Sequence, residues 1–193
     1  MAAKTGGMIV SVRTSATDPL EIAAIETGLP GRIGVTFAPG KQKDYAVSGT
    51  LRRDLGADLD AIVLWGAAAV VTLVEDPELE ELKIPHLGRE VRSRGLLWFH
   101  LPIRDYDIPG LAFEAAWPED SARLRALLRE GKHIVVHCQG GLGRSGMIAA
   151  RLLVELGADP DRAMKKVRAA RPGAIETPSQ ERWVAAGARR RRP

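Results

Sequence analysis

The sequence predicts a single α/β domain with a central, mostly parallel sheet flanked by helices. Three observations carry that expectation. The length of 193 residues suits one domain with a sizeable core. Short β-branched runs, Ile134-Val135-Val136 foremost, alternate with stretches whose apolar residues recur at helical spacing. Strand followed by helix followed by strand implies right-handed crossovers, and these leave neighbouring strands parallel. No internal repeat is present.

Residues 8–13 and 20–25 are expected as outer strands, followed by a strand from Arg32 to Phe37 and a turn at Ala38-Pro39-Gly40-Lys41. Leu51, Leu55, Leu59, Ile62 and Val63 mark a helix with Thr50 as its N-cap. Ala68 to Leu73 reads as a buried strand. Asp76-Pro77 opens a short helix, and Arg89 to Arg94 forms a second that Gly95 ends. A strand over residues 96–101 comes next, then a helix from Pro118 to Arg129. Lys132 to His137 is the central strand. From Ser145 onward Met147, Ile148, Leu152, Leu153 and Leu156 lie at helical spacing, up to a stop at Gly157. A further helix follows Pro160, with Lys165 and Lys166 on its solvent face, and another starts near Pro178. Residues 1–7 are expected as a flexible N-terminus, 8–188 as the functional domain and 189–193 as a basic disordered tail.

The chemistry gathers at His137-Cys138-Gln139-Gly140-Gly141-Leu142-Gly143-Arg144-Ser145, where the only cysteine stands at a strand end and an arginine at a helix start. A thiolate attacks far better than a thiol, and a helix N-terminus, main-chain N–H groups and a nearby arginine each favour the anion. The same donors suit phosphate oxygens. Gln139, Gly140, Gly141, Leu142 and Gly143 therefore read as the rim of an anion cup, in which glycines let the backbone curl through positive φ. Arg144 closes the cup, because its planar fork can bind two phosphate oxygens at once. His137 is expected to bond backbone carbonyls and hold the loop in shape. Ser145 is expected to bond the cysteine sulfur and ease its departure from a phosphocysteine.

The segment HCQGGLGRSG resembles the signature of the cysteine-dependent protein tyrosine and dual-specificity phosphatases: His-Cys, five residues, Arg, then Ser or Thr. Its GGLGRS core is most similar to the cyclin-dependent-kinase-associated phosphatase group, and the resemblance extends from about residue 30 to 188. It implies a protein tyrosine phosphatase-like fold and a phosphorylated protein as substrate, on phosphotyrosine and on phosphoserine or phosphothreonine. A leaving alkoxide or phenoxide needs a proton from a positioned carboxylic acid. Pro102-Ile103-x-Asp105 resembles the group's acid loop, which makes Asp105 the general acid and Asp107 the alternative. Arg171-Pro172-Gly173-Ala174-Ile175-Glu176-Thr177-Pro178-Ser179-Gln180 resembles the superfamily's third loop, where a glutamine aims the hydrolytic water; Gln180 matches that position. Glu176 departs from the glutamine that the related group often carries. Leu142 stands where phosphoinositide phosphatases often carry lysine, which argues against a lipid headgroup.

Composition excludes several other classes. The formal charge of +4 comes entirely from Arg189 to Arg192, so the body is near neutral and no nucleic-acid partner is expected. No apolar run approaches the roughly 18 residues of a membrane span, and the first residues do not form a signal peptide. One cysteine excludes an internal disulfide and suits a reducing compartment. A soluble, cytoplasmic monomer follows. His86, His100 and His133 are scattered, so neither a metal nor another cofactor is expected. A rhodanese-like sulfurtransferase and a non-catalytic phosphate-binding adaptor are the two alternatives. The first would need neither an upstream Asp nor a distal Gln; the second usually lacks the cysteine, the arginine or the acid.

Overall fold

Five strands form the main sheet of the computed structural model, which describes residues 12–46 and 49–188; the expected N-terminal segment 1–7, residues 8–11 and the arginine tail 189–193 lie outside them. In chain order the elements are β1 (Val12–Thr14), β2 (Ala23–Glu26), β3 (Arg32–Phe37), β4 (Gln42–Ala46), β5 (Gly49–Arg52), α1 (Leu55–Leu64), β6 (Ala67–Thr72), α2 (Asp76–Glu81), α3 (Leu87–Ser93), β7 (Leu97–His100), α4 (Leu111–Arg129), β8 (His133–Cys138), α5 (Gly143–Leu156), α6 (Pro160–Ala170) and α7 (Pro178–Ala186). The main sheet has the order β2-β3-β8-β6-β7, and a separate three-stranded sheet has the order β1-β5-β4. In the main sheet β3, β8, β6 and β7 run parallel and β2 is antiparallel to β3; in the small sheet β4 is antiparallel to β5. The expected mostly parallel α/β sheet is therefore present.

The β-branched runs occupy the centre because both faces of the sheet are covered. Alternation along β6 and β8 sends Ala69, Val71, Ile134 and Val136 to one apolar cluster and Val70 and Val135 to the other. The first cluster includes residues of α4 to α7, the second residues of α1 to α3. Helix α5 is buried at every position from Gly143 to Val154. Each large apolar side chain so enclosed contributes roughly 1.5–3 kcal/mol, which seats the start of α5 firmly against the end of β8. Cys138 pairs with Phe37 and His137 with Thr72, so the central strand ends level with its neighbours. Open parallel sheets bind ligands beyond such carboxyl ends.

Three expectations are corrected. Thr50 and Leu51 belong to β5, where Leu51 pairs with Arg13 and Lys43; the helix starts at Leu55 behind Asp54, whose side chain accepts from Ala57 N–H at 2.7 Å. A carboxylate cap and a strand partner outweigh the apolar periodicity that included Leu51. Helix α4 begins at Leu111, with Pro118 inside it. Phe113 stacks on Trp117 at 5.2 Å and meets Trp183 edge-on at 6.0 Å, and this tertiary anchoring overrides the proline. Of the expected outer strands, Val12–Thr14 joins the small sheet and only Ala23–Glu26 edges the main one. Among the described residues, no helix is long and apolar enough to cross a membrane, and no cluster of His, Cys, Asp and Glu could hold a metal ion.

Candidate active site

Cys138 is the last residue of β8, and α5 opens five residues later, so the intervening loop lies between a strand end and a helix N-terminus. The N–H groups of a first helical turn have no intrahelical partners and carry the positive end of the helix dipole. Sγ of Cys138, a residue only 3% exposed, accepts from Gly141 N–H at 3.2 Å and lies 3.4 Å from Ser145 Oγ. Both partners suit a sulfur anion. Gly141 alone among the loop glycines has positive φ, at 72°, and a β-carbon there would sit 2.5 Å from the Thr36 carbonyl carbon. Gly140 has open space instead, so the expectation of positive φ narrows to a single glycine. Leu142 caps α5 and accepts through its carbonyl from Gly146 and Ile175. The carbonyl of Gln139 accepts from Lys41 Nζ at 3.0 Å.

His137 is completely buried, and its Nε2 lies 2.8 Å from Thr72 Oγ1. A side-chain hydroxyl on β6 thus anchors a residue expected to bond backbone carbonyls. Burial pushes its pKa down to about 3, so the ring is neutral near pH 7. A neutral ring adds no charge against the Arg144 cation.

Arg144 is 1% exposed and held from the side of α2. Its Nη1 and Nη2 donate to the two carboxylate oxygens of Glu78 at 2.6 and 2.8 Å, Nη1 also donates to Ile103 O at 2.9 Å, and Nη2 lies 2.9 Å from Asp105 Oδ1. Glu78 is itself fixed, since Oε2 accepts from Glu75 N–H at 2.9 Å. Burial opposes the guanidinium charge, yet the bonds to Glu78 and the nearby Cys138 and Asp105 raise its pKa above the ordinary arginine value. Nε remains buried without a hydrogen-bond partner among the described residues. The two terminal nitrogens are therefore committed to Glu78, and the edge left for an anion combines Nε with Nη2. Glu78 was not singled out in the sequence; its signal was the acidic start of a short helix, Asp76-Pro77-Glu78, opposite an arginine that burial obliges to have a counterion.

Asp105 lies on the loop after β7, where Ile103 N–H bonds to Leu73 O and Asp107 N–H closes a turn on Arg104 O. Its side chain is 47% exposed. Tyr106 next to it has φ of 57°, and Asp107 Oδ1 accepts from Ile108 N–H at 2.8 Å. The third loop approaches from the other side. Gln180, fully buried in the first turn of α7, accepts at Oε1 from Glu176 N–H at 2.9 Å and donates from Nε2 to Asp107 O at 3.4 Å. Ile175 there has φ of 62°, a strained value for a β-branched residue. Glu176 is exposed, and a β-carbon added at Gly143 would run into its Oε2. Cys138, Arg144, Ser145, Asp105 and Gln180 thus converge from three loops at one end of the sheet.

A family model described as "Polymorphic toxin system, DSP-PTPase phosphatase" matches residues 56–158, more than half of the chain. The chain belongs to this family. The match takes in Asp105, Cys138, Arg144 and Ser145 and ends before Gln180. This DSP-PTPase phosphatase is 30% identical to the cyclin-dependent kinase inhibitor 3 of Rattus norvegicus over 156 residues, 79% of this chain and 69% of the relative; the Homo sapiens protein matches to the same extent. Among solved structures, kinase associated phosphatase with its catalytic-site cysteine substituted by serine superposes with a TM-score of 0.76 at 25% identity, covering 86% of this chain and 92% of that one. Tk-PTP in the active form superposes with a TM-score of 0.65 at 31% identity, covering 88% and 98%. The DSP-PTPase phosphatase is accordingly a cysteine-dependent protein phosphatase of the dual-specificity and protein tyrosine phosphatase superfamily, near the cyclin-dependent-kinase-associated group. Nothing favours the sulfurtransferase or the adaptor.

Proposed function

We propose that this phosphatase hydrolyses phosphotyrosine and phosphoserine or phosphothreonine esters of phosphoproteins through a covalent phosphocysteine, with Cys138 as nucleophile. The supporting observation is the buried, unpartnered Nε of Arg144 near a sulfur that already accepts a main-chain N–H. Such an orphaned donor is costly unless an anion meets it. In the first step Cys138 Sγ bonds to phosphorus as the bond to the leaving oxygen breaks, and Asp105 gives that oxygen a proton. Loop N–H groups from Gln139 to Gly143 and the Nε–Nη2 edge of Arg144 hold the three remaining oxygens. Phosphate on that edge takes the place of the Asp105 contact, which frees the acid to reach the leaving group.

In the second step a water aimed by Gln180 bonds to phosphorus, Asp105 takes a water proton, and the sulfur leaves as a thiolate stabilised by Ser145 and Gly141. Inorganic phosphate is released. Asp105 is favoured over Asp107 because its carboxylate lies against Arg144; each of the two also accepts from the N–H of the residue that follows it. A reducing compartment, the cytoplasm, suits a lone buried thiol. The decisive experiment pairs acid quench and intact mass with Cys138→Ser. Phosphate should be found on Cys138 of the wild type, and Cys138→Ser should lose turnover by roughly 10⁴-fold or more while still binding phosphate. Full activity of Cys138→Ser overturns the mechanism.

A further inference from the structure

A chain of hydrogen-bonded side chains leads from the edge of the main sheet to the strand that carries the nucleophile. Trp98 on β7 donates its indole N–H to Thr72 Oγ1 on β6 at 2.8 Å, and the same Oγ1 lies 2.8 Å from His137 Nε2 on β8. Thr72 and His137 are fully buried. The indole is held in place: it stacks on His100 at 5.0 Å, Arg92 Cζ lies 4.5 Å from its ring centroid, and a β-carbon added at Gly88 would sit 2.5 Å from its ring.

The hydrogens admit one direction along this chain. An indole N–H can only donate, so Thr72 Oγ1 accepts from Trp98. A threonine hydroxyl carries one hydrogen, and among the described residues Oγ1 has no partner besides Trp98 Nε1 and His137 Nε2. A proton on His137 Nε2 would leave the Thr72 hydrogen buried without an acceptor, a cost that vanishes when the hydroxyl donates to Nε2. Burial keeps the ring neutral, with its pKa down to about 3, so its one N–H is then at Nδ1. Nδ1 is buried without a partner in hydrogen-bond geometry among the described residues, and the Cys138 main chain beside it favours a proton on the ring. An N–H there presents its positive end beside the residue that carries the nucleophile, whereas the other tautomer would present a lone pair.

The charged and titratable groups facing Cys138 and His137 are Arg144 on α5, Lys41 ahead of β4 and His100 on β7. Arg144 and Lys41 bond to neither Thr72 nor Trp98. We propose that Thr72 and Trp98 are positioning residues of this phosphatase: the indole N–H orients the Thr72 hydroxyl, and the hydroxyl holds His137 in the Nδ1–H tautomer that favours the Cys138 thiolate. Neither residue touches substrate. The proposal rests on the reading of Cys138 as nucleophile and extends its support to the edge strand of the sheet.

The test follows the thiolate itself, as the rate of alkylation by iodoacetamide against pH, beside kcat/KM against pH on an aryl phosphate. Cys138 is the only cysteine, so one site is read. Thr72→Val keeps the shape without the hydroxyl, Thr72→Ser keeps the hydroxyl, and Trp98→Phe keeps a ring without the N–H. Thr72→Val should raise the alkylation midpoint and the acid limb of kcat/KM together by about one pH unit, a roughly tenfold loss of thiolate below the midpoint. Thr72→Ser should restore both. Trp98→Phe should shift both by less in the same direction, because its Thr72 hydroxyl is released to accept from His137. Nitrogen NMR of the His137 ring should find Nδ1–H in the wild type and a mixture of tautomers in Trp98→Phe. An unchanged midpoint in folded Thr72→Val overturns the proposal, as does a loss of kcat without a shift, since Thr72 would then only pack. Should Thr72→Val not fold, an unshifted Trp98→Phe or a wild-type Nε2–H overturns it. Alkylation of the wild type that sets in only above pH 8 overturns the nucleophile reading beneath it as well.

Discussion

The phosphate loop and the acid loop are built on opposite principles. Cys138, Arg144 and Ser145 are enclosed, held between the last residue of a central strand and the first turn of the most buried helix. Asp105 and Asp107 stand on an exposed segment with Tyr106 in a left-handed conformation between them. A nucleophile and an anion cup work best when dipoles are fixed in advance and water is excluded. An acid has a different task, since it must reach leaving oxygens on substrates of different depth, and a thinly held loop opens at low cost. The two regions meet at Arg144, whose Nη1 donates to Ile103 O at 2.9 Å and whose Nη2 lies 2.9 Å from Asp105 Oδ1. That arginine is where the enclosed half holds the exposed half in register.

The comparison is broken most severely from the acid side. Asp105→Ala should lower kcat on alkyl phosphates by about 10²- to 10⁴-fold and cost much less on aryl phosphates with good leaving groups. A leaving-group series measures this, and a larger loss in Asp107→Ala would transfer the role. Next comes the backbone of the enclosed half. Gly141→Ala meets both a positive φ and the Thr36 main chain, so it should destabilise the fold by about 1–3 kcal/mol, while Gly140→Ala leaves the melting temperature unchanged. Equal melting temperatures for the two variants would show that the loop is less rigid than its hydrogen bonds imply.

A smaller effect sharpens the contrast through pH. His137 has a folded pKa of about 3, below the ordinary value of about 6.5, so the unfolded chain takes up the proton first. Its contribution is complete above pH 6.5 and is lost as pH falls toward 3, by at most about 1.4 kcal/mol per pH unit. Thermal melts between pH 7 and 4 should show that slope, and His137→Asn should flatten it.

Legibility in the sequence followed the separation of the interacting residues. The cysteine, the arginine and the serine were readable because one strand end, one tight loop and one helix start are consecutive, and local residue types dictate all three. Asp105 and Gln180 were singled out only through resemblance, since neither has a local reason to be special. Glu78 escaped notice because its partner Arg144 is 66 positions away. Lys41 and Arg171 were equally silent, as their bonds to the Gln139 and Gly141 carbonyls depend on β4, α6 and the phosphate loop being brought together. The start of α4 was misplaced for the same reason: Pro118 is a local signal, whereas Trp183, which stabilises the helix around it, arrives from α7.

Periodicity, glycine placement and one motif were enough to specify the alternation of strand and helix and the place where a thiolate can sit. Which carboxylate neutralises the buried arginine and how near the acid comes to the cup were decided by packing. Hydrophobic patterning is written along the chain, but electrostatic pairing depends on distance in space, and only the folded sheet sets those distances.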